Sequence, residues 1–309
     1  MLDVRRDVLC IGNVNRFRRD MSKIAIIGSS GYIAKFLIEQ LLRTDNFNEI
    51  IKIDKTSKDD VFYLDLLEPE KFDYNILNDV EFVIFTAAIS SPDKCAEEFK
   101  LCWNINVIGT KYFIREALKR NCHVIFFSSD AVYGDIQSKR YDENSETKAH
   151  TSYGIMKKSI EDEFKNHNLF KSLRLSYVVS AKDKFVSYCL ECIKENKVAE
   201  VFHPFYRNCI MLNDVFNAII WIIQNWDLYQ PFVLNVTGNE LISRIQIADE
   251  INRVFSNRLI YKIVKPDEDF YKNRSQITQM ISLYLKKYNI LEQKTFSEKI
   301  QRELENIKL

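Results

Sequence analysis

The sequence predicts an α/β fold, a doubly wound parallel sheet followed by a smaller mixed α/β cap at the C-terminal side. Three observations predict it. From Lys23 to about Tyr177, short β-branched or aromatic runs alternate with longer helical patterns, as parallel strands joined by crossover helices do. A glycine-punctuated turn follows the first of those runs and opens the first helical one. After Ser180 the alternation gives way to helices mixed with short extended pieces. At 309 residues the chain exceeds the roughly 250–300 residues that one core usually serves, so a large domain with an appendage is expected. The sheet domain is assigned to residues 22–180 and the cap to 181–309, with some segments of the latter returning to the former. Residues 1–21 are read as a leader without fixed structure, with Met21 as a candidate start.

In chain order the expected strands are Lys23–Ile27, Glu49–Ile53, Glu81–Phe85, His123–Ser128 and Ser172–Ser176. Amphipathic stretches at Ile33–Arg43 and Cys95–Arg120 are long enough to be the right-handed crossovers between them. Beyond them come a helix at Lys184–Asn196, an extended piece at Asn208–Leu212, a helix at Asp214–Asn225 and a strand at Phe232–Val236. An insertion after the last full βα unit hangs over the carboxyl ends of the strands, where open α/β sheets bind ligands, so the cap is expected to hold the substrate.

Composition narrows the function. Lys plus Arg number 44 against 43 Asp plus Glu, a formal charge of +1, so the electrostatic footprint of a nucleic-acid or anionic-membrane binder is missing. The apolar runs at Val80–Ile89 and Ala218–Ile223 are too short or interrupted to span a bilayer. The Arg-rich N-terminus carries Asp3, Asp7 and Asp20 and only a brief apolar stretch at Val8–Ile11, unlike a secretory signal. Seven cysteines, an odd number scattered along the chain, point to reduced thiols and a cytoplasmic protein. Cys189 and Cys192 form a C-x-x-C with His203 and Cys209 downstream, a conceivable zinc set, but they fall in a helical run and the later spacing is irregular. Core packing is the preferred reading, and no metal is expected.

The turn reads Gly28-Ser29-Ser30-Gly31-Tyr32-Ile33-Ala34 between a strand and a helix, the context of a Rossmann dinucleotide-binding turn. Gly28 permits the tight turn, Gly31 lets backbone amides approach a pyrophosphate, and Ala34 permits close helix packing. The helix N-terminus adds partial positive charge. Gly28, Ser30, Gly31, Tyr32 and Ile33 are therefore cofactor-binding candidates. Asp54 closes the second strand, where a carboxylate accepts hydrogen bonds from ribose hydroxyls and repels a 2′-phosphate. NAD is favoured over NADP, with Lys55 beside it partly offsetting that charge.

Tyr153 and Lys157 stand four residues apart at the start of a helical run and share one face. A lysine ammonium near a phenol favours phenolate, which is expected to lower the Tyr153 pKa and make it a usable acid or base. Upstream, Phe126–Gly134 reads as a strand ending in Ser128 and Ser129. Ser129 is placed to hold a substrate oxygen while Tyr153 gives or takes its proton and hydride moves to or from a nicotinamide.

Taken together these residues resemble the extended short-chain dehydrogenase/reductases, the NAD-dependent nucleotide-sugar epimerases, dehydratases and reductases, from about Lys23 to Gly238. The match runs through the glycine turn, Asp54, Asp65-Leu66 at the adenine-contacting position, Thr86-Ala87-Ala88, Asn106-Val107-x-Gly109-Thr110, Ser129-x-x-Val132-Tyr133-Gly134 and Tyr153-x-x-x-Lys157. It implies cofactor roles for Asp65, Leu66, Thr86, Ala87, Ala88, Asn106 and Lys157, and substrate roles for Ser129, Asp130 and Tyr153. Arg207 to Asp214 is similar to the family's R-D-F-I-x-V-x-D segment, which implies that Arg207 grips the substrate's nucleotide phosphates. The resemblance also implies a homodimer formed through helices at Cys95–Arg120 and Tyr153–Lys165.

Departures from the pattern narrow the chemistry. Family dehydratases have Asp-Glu after the catalytic hydroxyl residue, whereas Asp130 is followed by Ala131, which cannot transfer a proton. The Cys and His pair of members that also epimerise GDP-sugars is missing its His in Tyr177-Val178-Val179-Ser180. Lys184-Phe185 occupies the place where many epimerases have a sugar-nucleotide-binding Asn. Chemistry at C4 remains, as a 4-epimerase or a 4-keto reductase. Ser129-Asp130 and Tyr177 look more like the dTDP-4-keto-6-deoxysugar reductases, and Asp54 more like NAD-retaining epimerases. Two other classes compete. A dinucleotide-sensing regulatory protein has no use for the Tyr153–Lys157 pair, and a reductase of a non-sugar carbonyl has none for Arg207.

Overall fold

The computed structural model describes residues 23–44, 47–56, 58–135 and 139–308; the leader expectation lies outside them. Seven parallel strands make the central sheet: β1 (Lys23–Ile27), β2 (Glu49–Asp54), β3 (Val61–Tyr63), β4 (Val80–Phe85), β5 (His123–Ser129), β6 (Phe170–Leu175) and β7 (Val233–Val236). Their order across the sheet is β7-β6-β5-β4-β1-β2-β3, with every pairing parallel. The order reverses between β1 and β4, which leaves a crevice over the carboxyl ends of these strands.

Strand periodicity sorts the core. Ile24 and Ile26 of β1 face one side with the helices Tyr32–Leu42 and Leu212–Gln224. Ala25 and Ile27 face the other, with Thr110–Lys119 and Ser152–Phe164. The expected single helix over Cys95–Arg120 is instead four consecutive helical pieces: Pro92–Glu97, Phe99–Trp103, a π-helical segment Asn104–Gly109, and Thr110–Lys119. Glu98 leaves helical geometry at φ −108°, ψ 46°, and the wider π turn changes which side chains face the sheet.

The cap has its own apolar cluster among the helices Lys184–Glu195, Arg244–Val254 and Phe296–Leu304. Cys189, Cys192 and Cys209 are buried in it, and no group of residues suited to a metal is found among the described residues. A small sheet orders Ile242–Ser243, Tyr206–Arg207, Ile277–Met280 and Arg140–Tyr141, so a segment from the first half of the chain crosses into it. The strand Val233–Val236 and the helix before it complete the central sheet and its first face. Among the described residues no helix is long and apolar enough to cross a membrane.

Candidate active site

The turn after β1 is shaped by what it touches. Gly28 sits at φ +81°, and a Cβ there would lie 2.8 Å from the backbone of Ala87, so the turn presses directly onto the segment that follows β4. Gly31 then caps the helix Tyr32–Leu42 without any side-chain hydrogen bond, and no acidic residue stands in its first turn. The amides at this helix N-terminus are left for a ligand, as an anion site requires. Asp54 accepts from the amides of Ser30 and Thr56, both at 2.9 Å. Burial raises its pKa and these hydrogen bonds outweigh that effect, holding the carboxylate below its ordinary value.

Thr86 Oγ1 donates to the Ile27 carbonyl at 2.7 Å. Within the π-helical segment, Asn106 accepts from the Ile89 amide at 2.8 Å and donates to its carbonyl at 2.9 Å. Asn106 thus holds the backbone of Ile89, the residue that follows Thr86-Ala87-Ala88. At the end of β5, Ser129 Oγ accepts from the Ala131 amide and donates to Asp130 Oδ1 at 3.0 Å. The helix Ser152–Phe164 starts against this turn, since a Cβ on Gly154 would lie 2.1 Å from the Ala131 carbonyl. Only glycine permits that approach, and Tyr153 and Ser129 line the same cleft.

Lys157 Nζ donates to the Phe127 carbonyl at 2.7 Å and lies 4.5 Å from the Phe126 ring centroid and 5.7 Å from that of Tyr153. Burial lowers its pKa to about 7, opposed by Cys95 and Glu161. The expectation for Tyr153 is corrected: burial, reinforced by Cys95 and Asp130, pushes the phenol above its ordinary value. Desolvation of the phenolate outweighs a lysine whose donor points at a carbonyl. Behind this pair, Glu161 receives Arg174 Nη2 at 2.6 Å and Ser172 Oγ at 3.0 Å, a buried ion pair that ties the helix to β6.

Ser129, Asp130, Tyr153, Lys157, Gly31, Tyr32, Ile33, Thr86, Ala88 and Arg207 all line one open cleft. Gly28, Ser30, Asp54, Ala87 and Asn106 are not among the residues that line it; Gly28 packs on Ala87, Asp54 accepts from the Ser30 amide and Asn106 pairs with Ile89. Asp65 pairs with Lys55 at 2.9 Å and Leu66 is buried against Gly109; neither lines the cleft. Arg207 reaches it with its donors largely taken, Nη1 by the Tyr206 carbonyl and Nη2 by the Ser275 carbonyl, both at 2.7 Å. Its Nε stands 3.5 Å from Asp130, whose carboxyl is raised by burial.

Sequence reasoning missed Ser176, Arg244, Asn273 and Arg274, which also line the cleft. Ser128 Oγ, Asp130 Oδ2, Ser176 Oγ and Arg244 Nε are buried atoms without a hydrogen-bond partner among the described residues, and all four belong to cleft-lining residues. The two serine hydroxyls, the Arg244 donor and the uncapped helix start fit a polar, anionic ligand such as a dinucleotide, whereas Asp130 Oδ2 faces Arg207 Nε at 3.5 Å.

A parallel sheet whose uncapped helix opens onto a switch-point cleft, with Ser129, Tyr153 and Lys157 at the same edge, defines a dinucleotide-binding fold of the short-chain dehydrogenase/reductase kind. The chain belongs to the NAD dependent epimerase/dehydratase family, whose model matches residues 24–236. Over 127 residues it is 25% identical to dTDP-4-dehydrorhamnose reductase of Aggregatibacter actinomycetemcomitans, a match that spans 40% of this chain and 40% of that relative. The dTDP-4-dehydrorhamnose reductase from Bacillus anthracis str. Ames, solved with NADP, superposes with a TM-score of 0.79 at 20% identity, over 91% of this chain and 98% of that one. The UDP-glucose 4-epimerase of Thermus thermophilus, solved with NAD, gives 0.78 at 16% identity, over 91% and 97%. At these identities the two structures share the fold.

Proposed function

We propose that this protein is an NAD(P)-dependent oxidoreductase acting at C4 of a nucleotide-activated sugar, as a 4-keto reductase or a 4-epimerase. The observation that carries the reading is the gathering of Ser129, Tyr153 and Lys157 in the cleft onto which the glycine turn opens. NAD is the preferred dinucleotide on account of Asp54, with NADP as the alternative. Gly28, Ser30, Gly31, Tyr32 and Ile33 would hold its pyrophosphate, Asp54 its ribose, and Thr86, Ala87, Ala88 and Lys157 its nicotinamide side. When bound, the nicotinamide ring supplies or accepts the hydride.

The chain's own residues handle oxygen and proton. Ser129 Oγ donates to the substrate oxygen in place of Asp130. Tyr153, kept protonated by burial, gives its proton to the alkoxide that forms when a ketone is reduced, and takes it back in the reverse direction. Lys157, ionised below about pH 7, supplies positive charge as the phenol becomes phenolate. Asp130 without a neighbouring glutamate leaves no group for dehydration. Phe99, Leu101, Ile108, Tyr112 and Ile155 are exposed on the helical segments flanking this side of the sheet, which supports a homodimer there. The test is Tyr153→Phe: turnover of UDP- and dTDP-hexoses or their 4-keto forms is expected to fall about 10²–10⁴-fold with dinucleotide affinity retained. Full activity in that variant sinks the reading.

A further inference from the structure

Lys157 and Glu161 stand one turn apart on the helix Ser152–Phe164, and both are buried. Side chains four residues apart on a helix are neighbours, and a lysine and a carboxylate so placed pair readily. Lys157 Nζ instead donates to the carbonyl of Phe127, a residue of β5 that lines the cleft. The reason is at Glu161. Its Oε1 accepts from Ser172 Oγ at 3.0 Å and Arg174 Nε at 3.1 Å, and its Oε2 from Arg174 Nη2 at 2.6 Å. Arg174 is fixed from another side as well: Nη1 donates to the Tyr133 hydroxyl at 2.7 Å, and the guanidinium carbon lies 4.9 Å from the Tyr133 ring centroid. With 4% and 3% of their side chains exposed, Arg174 and Glu161 meet each other with little competition from water.

The other groups that face Lys157 offer no rival charge. Cys95, from the helix Pro92–Glu97, is a thiol whose proton is held by burial up to about 12. Tyr153, with its ring centroid 5.7 Å from Nζ, is likewise kept protonated by burial, and Asp130, which acts on Tyr153, faces Arg207. β5 presents a carbonyl and the Phe126 ring. Glu161 is the carboxylate that acts on Lys157. A buried carboxylate stripped of its partner is costly, and the cation one turn away from it is Lys157. We propose that Arg174 is a positioning residue for the reaction: by occupying Glu161 it keeps the Lys157 ammonium at the Phe127 carbonyl, on the wall of the cleft that it shares with Tyr153. The proposal rests on the oxidoreductase reading, in which Lys157 supplies positive charge to Tyr153 and to the nicotinamide side of the dinucleotide.

The test is the titration of Lys157, followed by NMR in full-length protein isotope-labelled at the lysine Cε, with Lys157→Met identifying the signal, alongside NADH and NADPH binding by fluorescence. Arg174→Met is expected to move that titration up from about 7 by about 1–3 pH units, as for an ammonium that gains a carboxylate partner. It is also expected to weaken the dinucleotide about 10- to 100-fold, the range of one charge-assisted hydrogen bond. Arg174→Lys engages Glu161 through a point charge rather than a fork and is expected to fall between; it keeps a cation in place and reads the same shift where Arg174→Met does not fold. Glu161→Met combined with Arg174→Met removes the competing carboxylate and the guanidinium together, and is expected to return both the titration and the affinity to near wild-type values. A Lys157 titration unmoved in the single variants, or a loss of affinity that persists in the double variant, overturns the proposal. A titration that moves as expected in a protein that binds neither NADH nor NADPH keeps the role of Arg174 toward Lys157 and sinks the oxidoreductase reading instead.

Discussion

Replacing Lys157 by Met is expected to abolish turnover and, below neutral pH, to make the protein more stable. An ordinary lysine holds its proton to pH 10.5, and Lys157 only to about 7. Each tenfold change in proton affinity is worth about 1.4 kcal/mol, so keeping the ammonium in this place costs about 5 kcal/mol. That cost is what remains after the hydrogen bond to the Phe127 carbonyl and the face of Phe126 have acted, and a methionine of similar shape avoids it, so the variant is expected to be the more stable of the two near pH 6. The folded pKa is depressed, so between about pH 7 and 10.5 the unfolded chain binds the extra proton and wild-type stability rises with pH. Urea melts of both proteins near pH 6 and pH 9 test this, and the variant's advantage is expected to shrink by about 2.5 kcal/mol between them. A difference that does not change with pH, or a variant destabilised near pH 6, refutes the reasoning.

Other perturbations probe the supports of the site. Gly28→Ala forces a Cβ to within 2.8 Å of the Ala87 backbone at a positive φ; thermal melts are expected to show a loss of about 1–3 kcal/mol, with weaker dinucleotide binding. Asp54→Ala removes the acceptor of the Ser30 and Thr56 amides, and the ratio of NAD to NADP affinity, read by fluorescence titration, is expected to fall about tenfold or more. Glu161→Gln leaves Arg174 buried with a neutral partner; denaturant unfolding is expected to show a loss of up to about 3–5 kcal/mol.

The parts of the fold visible in the sequence are those where local pattern and tertiary role agree. β1, β2, β4, β5 and β6 begin and end within about two residues of their expected positions, because strands buried on both faces read as continuous apolar runs. β3 was missed: Val61–Tyr63 is a three-residue edge strand with partly exposed side chains and no run to announce it. The break at Glu98 and the π turn at Asn104–Gly109 also left no signal, since an apolar stretch of that length matches an unbroken helix. Ser129, expected from its place at the end of a strand, and Tyr153 and Lys157, expected from their spacing on a helix, come to line one cleft. Arg244 was missed, because a lone arginine after Ser243 has the look of a solvated helix start until Phe185, Phe202, Phe205 and Phe270, distant in sequence, are seen to enclose it. The direction of the Tyr153 shift was likewise out of reach, since burial, which sets it, is a tertiary property.

Hydride transfer between a dinucleotide and a nucleotide sugar in this cleft, with Tyr153 handling the proton, is read from the nicotinamide absorbance in single-turnover mixing of cofactor-loaded enzyme with UDP- and dTDP-hexoses and their 4-keto forms. A change is expected with at least one of these substrates in the wild type and none in Tyr153→Phe that still holds its cofactor. A cofactor-bound wild type that leaves the absorbance unchanged across the whole set contradicts this reading.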